Sequence, residues 1–436
     1  MQKTNHTALI WYRNDLRVLD HPGLWEATQH FDRVIACYAF DPRQYETDRW
    51  GFKKTERYRA QFLIETVQDL QKQLELLNIS LFVRFEKPED WIPQLVETMD
   101  VTKIFYQAEW THEEKKVEEQ LSAHLPKSLE WEAHFRQFLY EPAKVPMQVN
   151  QTPEVFTVFR KKCEKYAQIN PPIPSPKPMP TTNRVETQND LPTLTTLGLP
   201  HFEQDTRSAF PFKGGTQAGM ERLQHYFWTT KKLSYYKNTR NGLVGLDYSS
   251  KFSAWLANGS LSPKMIHAEV KQYEQEVTKN QSTYWLIFEL IWRDYFKYIS
   301  LKHGNKIFQL GGILDRDYHW ETDPQKFVQW AQGETAEPFV NANMLELKHT
   351  GWMSNRGRQN VASYFAKELM LDWRMGAAYF ESLLIDYDVH NNYGNWLYVS
   401  GVGNDPRDRK FNISSQAERY DSDGRFQRRW LQTQLF

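Results

Sequence analysis

The first third of the chain alternates short apolar runs with helical patterns, and this alternation constrains the fold more than any other feature. The strand-like runs cover residues 7–13, 33–41, 80–86, 103–109 and 129–134. The clearest helical pattern between them covers residues 55–78, where apolar residues recur at helical spacing. Strands that alternate with helices predict an α/β, doubly wound parallel sheet with helices on both faces. No G-x-G-x-x-G follows these runs, so the usual dinucleotide signature is absent.

The remainder of the chain changes character twice. Eleven of the 21 prolines fall within residues 140–200, and runs such as PPIPSPKPMP exclude one continuous helix or strand. A helical pattern at 152–167 interrupts this region. From about residue 210 helical patterns dominate, and the longest cover 216–237, 281–302 and 358–384. The predicted architecture is an α/β domain at 1–135, a proline-rich connector at 136–209 and a larger all-α domain at 210–436.

Composition excludes several classes of protein. The 54 basic and 54 acidic residues give zero formal net charge, so any nucleic-acid site must be a local patch. Cys37 and Cys163 are too few for a disulfide framework or a zinc site, which indicates a reducing, cytoplasmic setting. The 13 histidines form no metal motif, and no stretch is apolar enough for a membrane span. The 16 Trp, 22 Tyr and 26 Phe predict either an aromatic core or stacking on planar ligands.

Three polar groupings stand out in the helical part. Residues 282–302 predict a buried helix that nevertheless carries Glu289 and Arg293 four apart on one face, so that an internal ion pair and a functional site both remain open. Serines cluster around Lys251 at 247–263, where helix capping and phosphate binding are the two interpretations. In 351–373, three polar residues share one face of a helix start: Asn355, Arg358 and Gln359.

The stretch DYDVHNNYGNWLY (386–398) combines two carboxylates, three amides and four aromatic rings. It contains no Ser, Thr, Cys or Lys that would act as a nucleophile, and the chain has neither a G-x-S-x-G elbow nor a Walker loop. Hydrolysis and phosphoryl transfer therefore lack their usual parts.

Taken together, these segments resemble the photolyase/cryptochrome family of light-dependent flavoproteins, and within it the DASH cryptochromes. The runs that carry the resemblance are WYRNDLRVLD (11–20), YYKNTRNGLVGLDYSSKFSAWL (235–256), FELIWRDYF (288–296), NRGRQN (355–360) and DYDVHNNYGNWLY (386–398). They lie in the family's order and span nearly the whole chain. The resemblance implies a light-driven enzyme that repairs cyclobutane pyrimidine dimers in single-stranded or looped DNA by electron transfer from FADH⁻.

The resemblance also implies where FAD contacts the chain. The matching positions are Tyr236, Ser249, Ser250, Lys251, Phe252, Ser253, Glu289, Trp292, Arg293, Asn355, Arg358, Asp386, Asp388 and Asn392. Asn392 matches the residue that faces flavin N5, where an amide should favour the anionic reduced flavin. Glu109 matches the glutamate that contacts an antenna chromophore, 5,10-methenyltetrahydrofolate.

Catalytic roles follow from the same resemblance. Glu289 matches the glutamate that hydrogen-bonds the dimer, and a carboxyl in an apolar wall should have a raised pKa. The electron-relay positions are Trp396, Trp373 and Trp320, and we expect Trp396→Phe to nearly abolish rapid photoreduction of FAD. Gln359 and Tyr398 replace apolar residues of duplex photolyases; because extrusion from a duplex costs a few kcal/mol, they indicate a single-stranded substrate.

The expected DNA patch consists of Arg356, Arg409 and Lys410, which should contact phosphates. RNA is a further partner that the resemblance allows, although the chain stops at WLQTQLF without the Arg- and Gly-rich extension of DASH members. We expect a monomer. Asn341 stands where the family usually has Asp, and the sequence gives no reason for the difference. The rival hypotheses are a blue-light photoreceptor with little repair activity and a dark flavin oxidoreductase.

Overall fold

A computed structural model describes residues 4–187, 191–405 and 407–432. Three residues of the connector and the last four residues of the WLQTQLF end therefore lie outside the described residues.

The N-terminal part is the predicted doubly wound sheet. Its parallel strands run in the order β3-β2-β1-β4-β5, and each predicted run overlaps one strand. The strands are β1 (Thr4–Tyr12), β2 (Phe31–Ala39), β3 (Leu81–Arg84), β4 (Val101–Gln107) and β5 (Glu130–His134). The intervening helices are α1 (Pro22–His30), α2 (Arg57–Leu76), α3 (Pro88–Thr98) and α4 (His112–Ala123).

Both faces of this sheet are buried. Ala8 and Ile10 of β1 pack in one apolar core with α1 and α2, whereas Leu9 and Trp11 pack in another with α3 and α4. Alternate side chains of a strand point to opposite faces, so helices on both sides account for the uninterrupted apolar run in β1.

The segment after β5 contains helix α5 (Phe156–Tyr166) and short 3-10 turns. Its later part is fixed to the sheet, because the Asn183 amide bonds the backbone N–H and C=O of Val34. Phe156 and Phe159 of α5 instead join the core of the helical part. The segment thus contacts both parts, and the boundaries at residues 135 and 209 stay predictions.

The C-terminal part is helical in the described residues. Its helices are α6 (Thr216–Gln224), α7 (Tyr236–Thr239), α8 (Ser253–Ala257), α9 (Pro263–Glu276), α10 (Gln281–His303), α11 (Pro324–Gln332), α12 (Pro338–Thr350), α13 (Asn355–Lys367), α14 (Trp373–Leu383), α15 (Val389–Ser400), α16 (Ile413–Tyr420) and α17 (Arg425–Leu431). No described helix is long and apolar enough to cross a membrane.

Two of the predicted long helices are wrong in extent. The 216–237 pattern breaks after α6 into a π-helical turn (His225–Thr229), and Lys231 then has a left-handed φ of 52°. The 358–384 pattern splits into α13 and α14 because Met370 has φ 54° and Asp372 caps the new helix by accepting from the Arg374 backbone N–H. Helical periodicity continues across such breaks, since both pieces bury an apolar face in the same core.

Helix α10 passes through the centre of the helical part. The Asn280 side chain caps its first turn, and most of its residues are buried. The Asp294 carboxylate accepts hydrogen bonds from the backbone N–H groups of Leu139 and Tyr140, which fixes the start of the connector to this helix. Side chains that α10 presents to a cavity are therefore held on a rigid support.

Candidate functional site

A cavity of about 580 Å³ opens in the helical part between α8, α10, α13 and α15. The sequence-predicted residues that line it are Tyr236, Ser249, Ser250, Lys251, Phe252, Ser253, Glu289, Trp292, Arg293, Asn355, Arg358, Gln359, Asp386, Asp388 and Tyr398. A small cavity of about 80 Å³ adjoins it and is lined by Asn392 and Trp396. We call the two together the helical cavity. The structure thus unites residues from four separate motifs in one place.

Arg358 is positioned by two contacts at the floor of this cavity. Its Nε donates to the Met353 carbonyl at 3.0 Å, and its Nη2 donates to both oxygens of Asp386 at 2.9 and 3.0 Å. Contacts at two different nitrogens, Nε and Nη2, fix both the position and the plane of the guanidinium. The pair presents a cation and an anion in a fixed orientation to any planar ligand.

Asp388 forms a second, more deeply buried pair. Its Oδ2 lies 2.8 Å from Lys297 Nζ, and its Oδ1 accepts from the Asn391 backbone and side chain. Burial alone would raise the pKa of Asp388, but the Lys297 ammonium outweighs it and holds the pKa far below its usual range. Asp388 is therefore ionised at all ordinary pH values.

Glu289 lies at the mouth of the helical cavity. Its Oε1 lies 2.7 Å from Arg240 Nη1 and accepts from the Trp285 indole at 3.1 Å. Burial raises the pKa of Glu289, in the predicted direction, while Arg240 opposes the shift. The ion pair between Glu289 and Arg293 that the sequence left open does not form, because Arg293 donates to the carbonyls of Gln137 and Leu256.

Asn392 and Trp396 lie deeper, on α15. The Asn392 amide donates to the Ala377 carbonyl at 3.0 Å. Trp396 packs edge-on against Phe380 and Phe365, with ring centroids 5.1 and 5.7 Å apart. The close approach of α14 requires Gly376, whose Cβ would lie 2.3 Å from the Trp396 ring.

The other two predicted relay tryptophans do not line the helical cavity. Trp373 begins α14, is fully buried, and donates its indole N–H to the Leu310 carbonyl at 3.0 Å. Trp320 is only partly buried and contacts Tyr318 edge-on at 5.8 Å. Trp396 and Trp373 are thus both buried, at 2% and 0% exposure, whereas Trp320 lies nearer the surface.

A second cavity, of about 530 Å³, lies between the sheet and the helical part. It is lined by the ends of β1 and β4, where the strand order reverses, and open α/β sheets bind ligands at such switch points. Glu109 lies in its wall, where it accepts from Gln107 Nε2 at 2.9 Å, and burial raises its pKa. We call this cavity the interdomain cleft.

Comparisons with known proteins follow the same division of the chain. The family described as DNA photolyase matches residues 8–180, and the FAD binding domain of DNA photolyase matches residues 285–434. Cryptochrome DASH of Gloeobacter violaceus is 49% identical over 427 residues, which covers 98% of this chain and 85% of that protein. The chain belongs to the DASH cryptochromes.

Further relatives of this DASH cryptochrome agree. Cryptochrome DASH of Danio rerio is 44% identical over 432 residues, covering 98% of this chain and 83% of that protein. The crystal structure of the Synechocystis cryptochrome superposes with a TM-score of 0.94 at 45% identity, over 99% of this chain and 89% of that one. A class III photolyase from Agrobacterium tumefaciens, at 23% identity and a TM-score of 0.83 over 99% and 87% of the two chains, shares the fold.

The helical cavity of this DASH cryptochrome fits a flavin dinucleotide. Lys251 is buried over the ring of Tyr248, and its Nζ has no hydrogen-bond partner among the described residues. The buried Gln359 Oε1 is likewise unpartnered in the described part of the chain. Burial lowers the pKa of Lys251 well below its ordinary value, so a phosphate beside Lys251 would supply the partner that its charged form lacks. The volume, the cation and the open acceptor suit FAD.

Sequence reasoning missed several residues of the cavity wall. Arg240 of the helical cavity lies four residues after Tyr236, and Lys297, which lines the interdomain cleft, lies four residues after Arg293, so helical spacing from predicted positions was the available signal. Asn391 and Asn395 flank Asn392 within the motif that the sequence already singled out, and both line the helical cavity. Lys410, in contrast, pairs with Glu368 at 2.8 Å and does not belong to the cavity lining.

One acidic cluster lies apart from both cavities. Among the described residues, Glu26, Glu132 and His134 form the single group whose ligand atoms all lie within 4.8 Å of one another. The Lys103 ammonium is already among them, 2.6 Å from Glu132. We interpret the cluster as an ion-pair network at the sheet edge.

Proposed function

We propose that this DASH cryptochrome is a light-driven lyase that repairs cyclobutane pyrimidine dimers in single-stranded or looped DNA. The observation that carries the proposal is that Glu289, Gln359 and Tyr398 line the same cavity as the Arg358–Asp386 pair. The groups that would bind a damaged base thus face the groups that would hold the flavin. A reduced flavin held beside the Arg358–Asp386 pair would supply, on excitation, the electron that opens the cyclobutane ring.

Base recognition would centre on Glu289. Its raised pKa favours the protonated carboxyl, which can donate a hydrogen bond to a pyrimidine carbonyl. Entry of the base would displace Arg240, which now contacts the same oxygen. Gln359 offers its open amide acceptor, and Tyr398 packs edge-on against Trp292 with centroids 5.9 Å apart. This polar wall provides less apolar contact for an extruded base, which is the basis for proposing an unpaired substrate.

The DNA backbone would bind at the rim of the same cavity. Arg356 and Arg409 both line it, and Arg356 stacks over the Tyr420 ring at 4.6 Å. Two arginines beside an aromatic ring suit single strands, which combine phosphate contacts with base stacking. The formal net charge of the protein is zero, so its phosphate contacts should come from this patch alone. Affinity for DNA should therefore fall steeply as the salt concentration rises. We propose a cytoplasmic monomer, with RNA as a competitor in the test below.

Electron resupply would use the tryptophan relay. Trp396 lines the helical cavity, Trp373 is fully buried, and Trp320 approaches the surface. Asn392 would face the reactive edge of the flavin as an amide, which cannot deliver a carboxyl proton. These side chains orient the cofactor, exclude water and conduct charge.

The interdomain cleft would hold an antenna, 5,10-methenyltetrahydrofolate. Besides Glu109, the buried Oε1 atoms of Gln107 and Gln137 face this region without hydrogen-bond partners in the described residues, and both side chains line the cleft. A pterin ring carries N–H donors that such acceptors would satisfy. The fit supports a polar planar ligand of this kind.

The decisive experiment is repair of a dimer-containing oligonucleotide under blue light. Purified protein should restore the absorbance of intact thymines in single-stranded DNA, at least tenfold faster than in duplex and not in darkness. Glu289→Gln should reduce repair without loss of bound FAD, and undamaged RNA should compete only at low salt. Photoreduction of FAD without any repair of the single strand would refute the proposal and favour the photoreceptor hypothesis.

A further inference from the structure

Tyr318 extends the aromatic series beyond the outermost relay tryptophan. Its ring lies 5.8 Å from that of Trp320 with an interplanar angle of 87°, an edge-to-face contact. Tyr318 is half-buried, and the series therefore ends in a phenol at the protein surface.

The phenol of Tyr318 is hydrogen-bonded to a carboxylate. Its O–H donates to Asp408 Oδ2 at 2.9 Å, and Lys367 Nζ lies 2.6 Å from the other oxygen, Oδ1. Burial would raise the pKa of Asp408, but the hydrogen bonds from Lys367 and Tyr318 outweigh it and lower the pKa. Asp408 is thus an ionised acceptor at neutral pH. Burial and the Asp408 carboxylate raise the pKa of Tyr318, so the phenol keeps its proton at rest.

Arg316 completes this arrangement. Its Nη1 donates to the Tyr318 oxygen at 2.8 Å and to the Gly401 carbonyl at 2.7 Å. When a phenol loses its proton along with an electron, its oxygen remains a hydrogen-bond acceptor. The Arg316 contact therefore persists through oxidation and holds the ring in place.

A second tyrosine near the relay lacks this arrangement. Tyr393 lies 6.2 Å from Trp373, but its O–H is 3.4 Å from Glu381 Oε2. This separation is longer than an ordinary O–H···O hydrogen bond, so the Glu381 carboxyl is poorly placed to accept the Tyr393 proton. Proximity to a tryptophan thus occurs at both tyrosines, whereas a short hydrogen bond to a carboxylate distinguishes Tyr318.

We propose that Tyr318 is the terminal electron donor of the relay and that Asp408 accepts its phenolic proton. The inference rests on the tryptophan relay of the proposed function. One electron passes from Tyr318 to the Trp320 radical cation, which returns to neutral tryptophan. The phenolic O–H bond breaks, and the proton forms an O–H bond on Asp408. A neutral tyrosyl radical remains, and a soluble thiol can later restore it by giving one electron and one proton.

Proton transfer makes the charge separation persistent. Return of the electron to Tyr318 must be accompanied by return of the proton from Asp408, and a deuteron moves more slowly than a proton. The lifetime of the outermost radical should therefore depend on D₂O and on the Asp408 carboxylate, which a purely structural role of this contact would not produce.

The test uses the full chain with bound FAD, excited by a short blue flash. Transient absorption follows the kinetics, and electron paramagnetic resonance of protein labelled with ring-deuterated tyrosine identifies the radical. The wild type should show a tyrosyl radical whose formation is slower in D₂O. Tyr318→Phe should leave a tryptophan radical that recombines at least tenfold faster. Asp408→Asn should slow tyrosyl formation at least tenfold, and Asp408→Glu should restore it.

Tyr166→Phe is the matched control, because Tyr166 is 62% exposed on α5 and should behave as wild type. A tyrosyl radical that survives Tyr318→Phe, or wild-type kinetics in that variant, would overturn the inference. Trp396→Phe distinguishes the tryptophan relay from its terminal donor. If this variant retains rapid photoreduction of FAD, the tryptophan relay itself is refuted. If it blocks photoreduction while Tyr318→Phe has no effect, only the role of Tyr318 is refuted.

Discussion

The two large cavities are similar in volume, about 580 and 530 Å³, yet they differ at one buried cation. In the interdomain cleft Arg43 pairs with Asp41 and Glu89, just as Arg358 pairs with Asp386 in the helical cavity. In the helical cavity, Lys251 is buried with no hydrogen-bond partner among the described residues.

This difference indicates how strongly each cavity depends on its ligand. A wall whose charges are neutralised within the protein is stable by itself and gains modestly from an occupant. A buried ammonium that lacks an acceptor gains several kcal/mol when an anion arrives, as an order of magnitude. We therefore expect the helical cavity to be structurally coupled to its flavin and the cleft to release its antenna without consequence for folding. Four predictions test this contrast, from the largest effect to the smallest.

Asp388 is the sharpest test because it lines both cavities. Asp388→Ala leaves the 4% exposed Lys297 ammonium without its partner, and breaking a buried pair costs about 3–5 kcal/mol. Denaturant unfolding should show this loss, and the variant should purify without FAD. Lys306→Ala, which breaks an exposed pair with Asp315, should cost under about 1 kcal/mol. Equal losses of unfolding free energy in the two variants would contradict the assignment of Asp388 to the wall that the two cavities share.

Glu346 tests the unpaired charges behind the helical cavity. Burial raises its pKa to about 8, against the lowering effects of Lys251 and Arg358, from an ordinary value of 4.5. Between these values the folded state holds a proton that the unfolded state has lost, so stability is full below pH 4.5 and falls as pH rises toward 8. The slope should approach about 1.4 kcal/mol per pH unit.

Glu346→Gln should flatten that slope in the FAD-free protein, measured by denaturant unfolding at pH 6 and pH 7. Glu368→Gln, at an exposed carboxyl, should keep the wild-type slope. Parallel pH profiles for wild type and Glu346→Gln would remove the evidence for unpaired charge in this region.

Glu109 tests the opposite expectation for the cleft. Glu109→Gln should weaken binding of 5,10-methenyltetrahydrofolate about tenfold, since a hydrogen bond to a charged group contributes about 1.5–3 kcal/mol. FAD content and melting temperature should not change. Folate titration by absorbance, with flavin absorbance as the internal reference, measures both. A parallel loss of folate and FAD would show that the two cavities are coupled, which would contradict the difference expected between them.

The same contrast explains what sequence could predict. The helical cavity is formed by four short motifs, and within each motif the spacing along α10, α13 or α15 already determines which side chains share a face. The cleft is formed by single residues after β1, β2 and β4 and by α4, so Glu109 was found only through family resemblance. The cleft lies at the switch point that the carboxyl ends of the parallel strands define.

The remainder depended on contacts between distant segments, which periodicity does not report. The Glu289–Arg240 and Asp388–Lys297 pairs each join two helical regions, and either cation would suit many carboxylates in an extended chain. The break between α13 and α14 depends on the backbone of Met370, a residue with no turn signature. Local patterns therefore predicted elements and motif faces, while partner choice required the packed fold.

Asn341 gives the smallest expected effect and serves as a reference remote from both cavities. Its Oδ1 accepts from the Thr335 backbone N–H and hydroxyl at 2.9 and 2.7 Å, and its Nδ2 donates to the Thr335 carbonyl at 2.8 Å. An aspartate would keep the two acceptor contacts but would place a carboxylate oxygen against a carbonyl. Asn341→Asp should therefore cost about 1 kcal/mol at pH 7, and less in acid where the new carboxyl is protonated. FAD and folate binding should stay unchanged; loss of either would mean that the loop of Thr335 is coupled to a cavity wall, and the reference would have to be replaced.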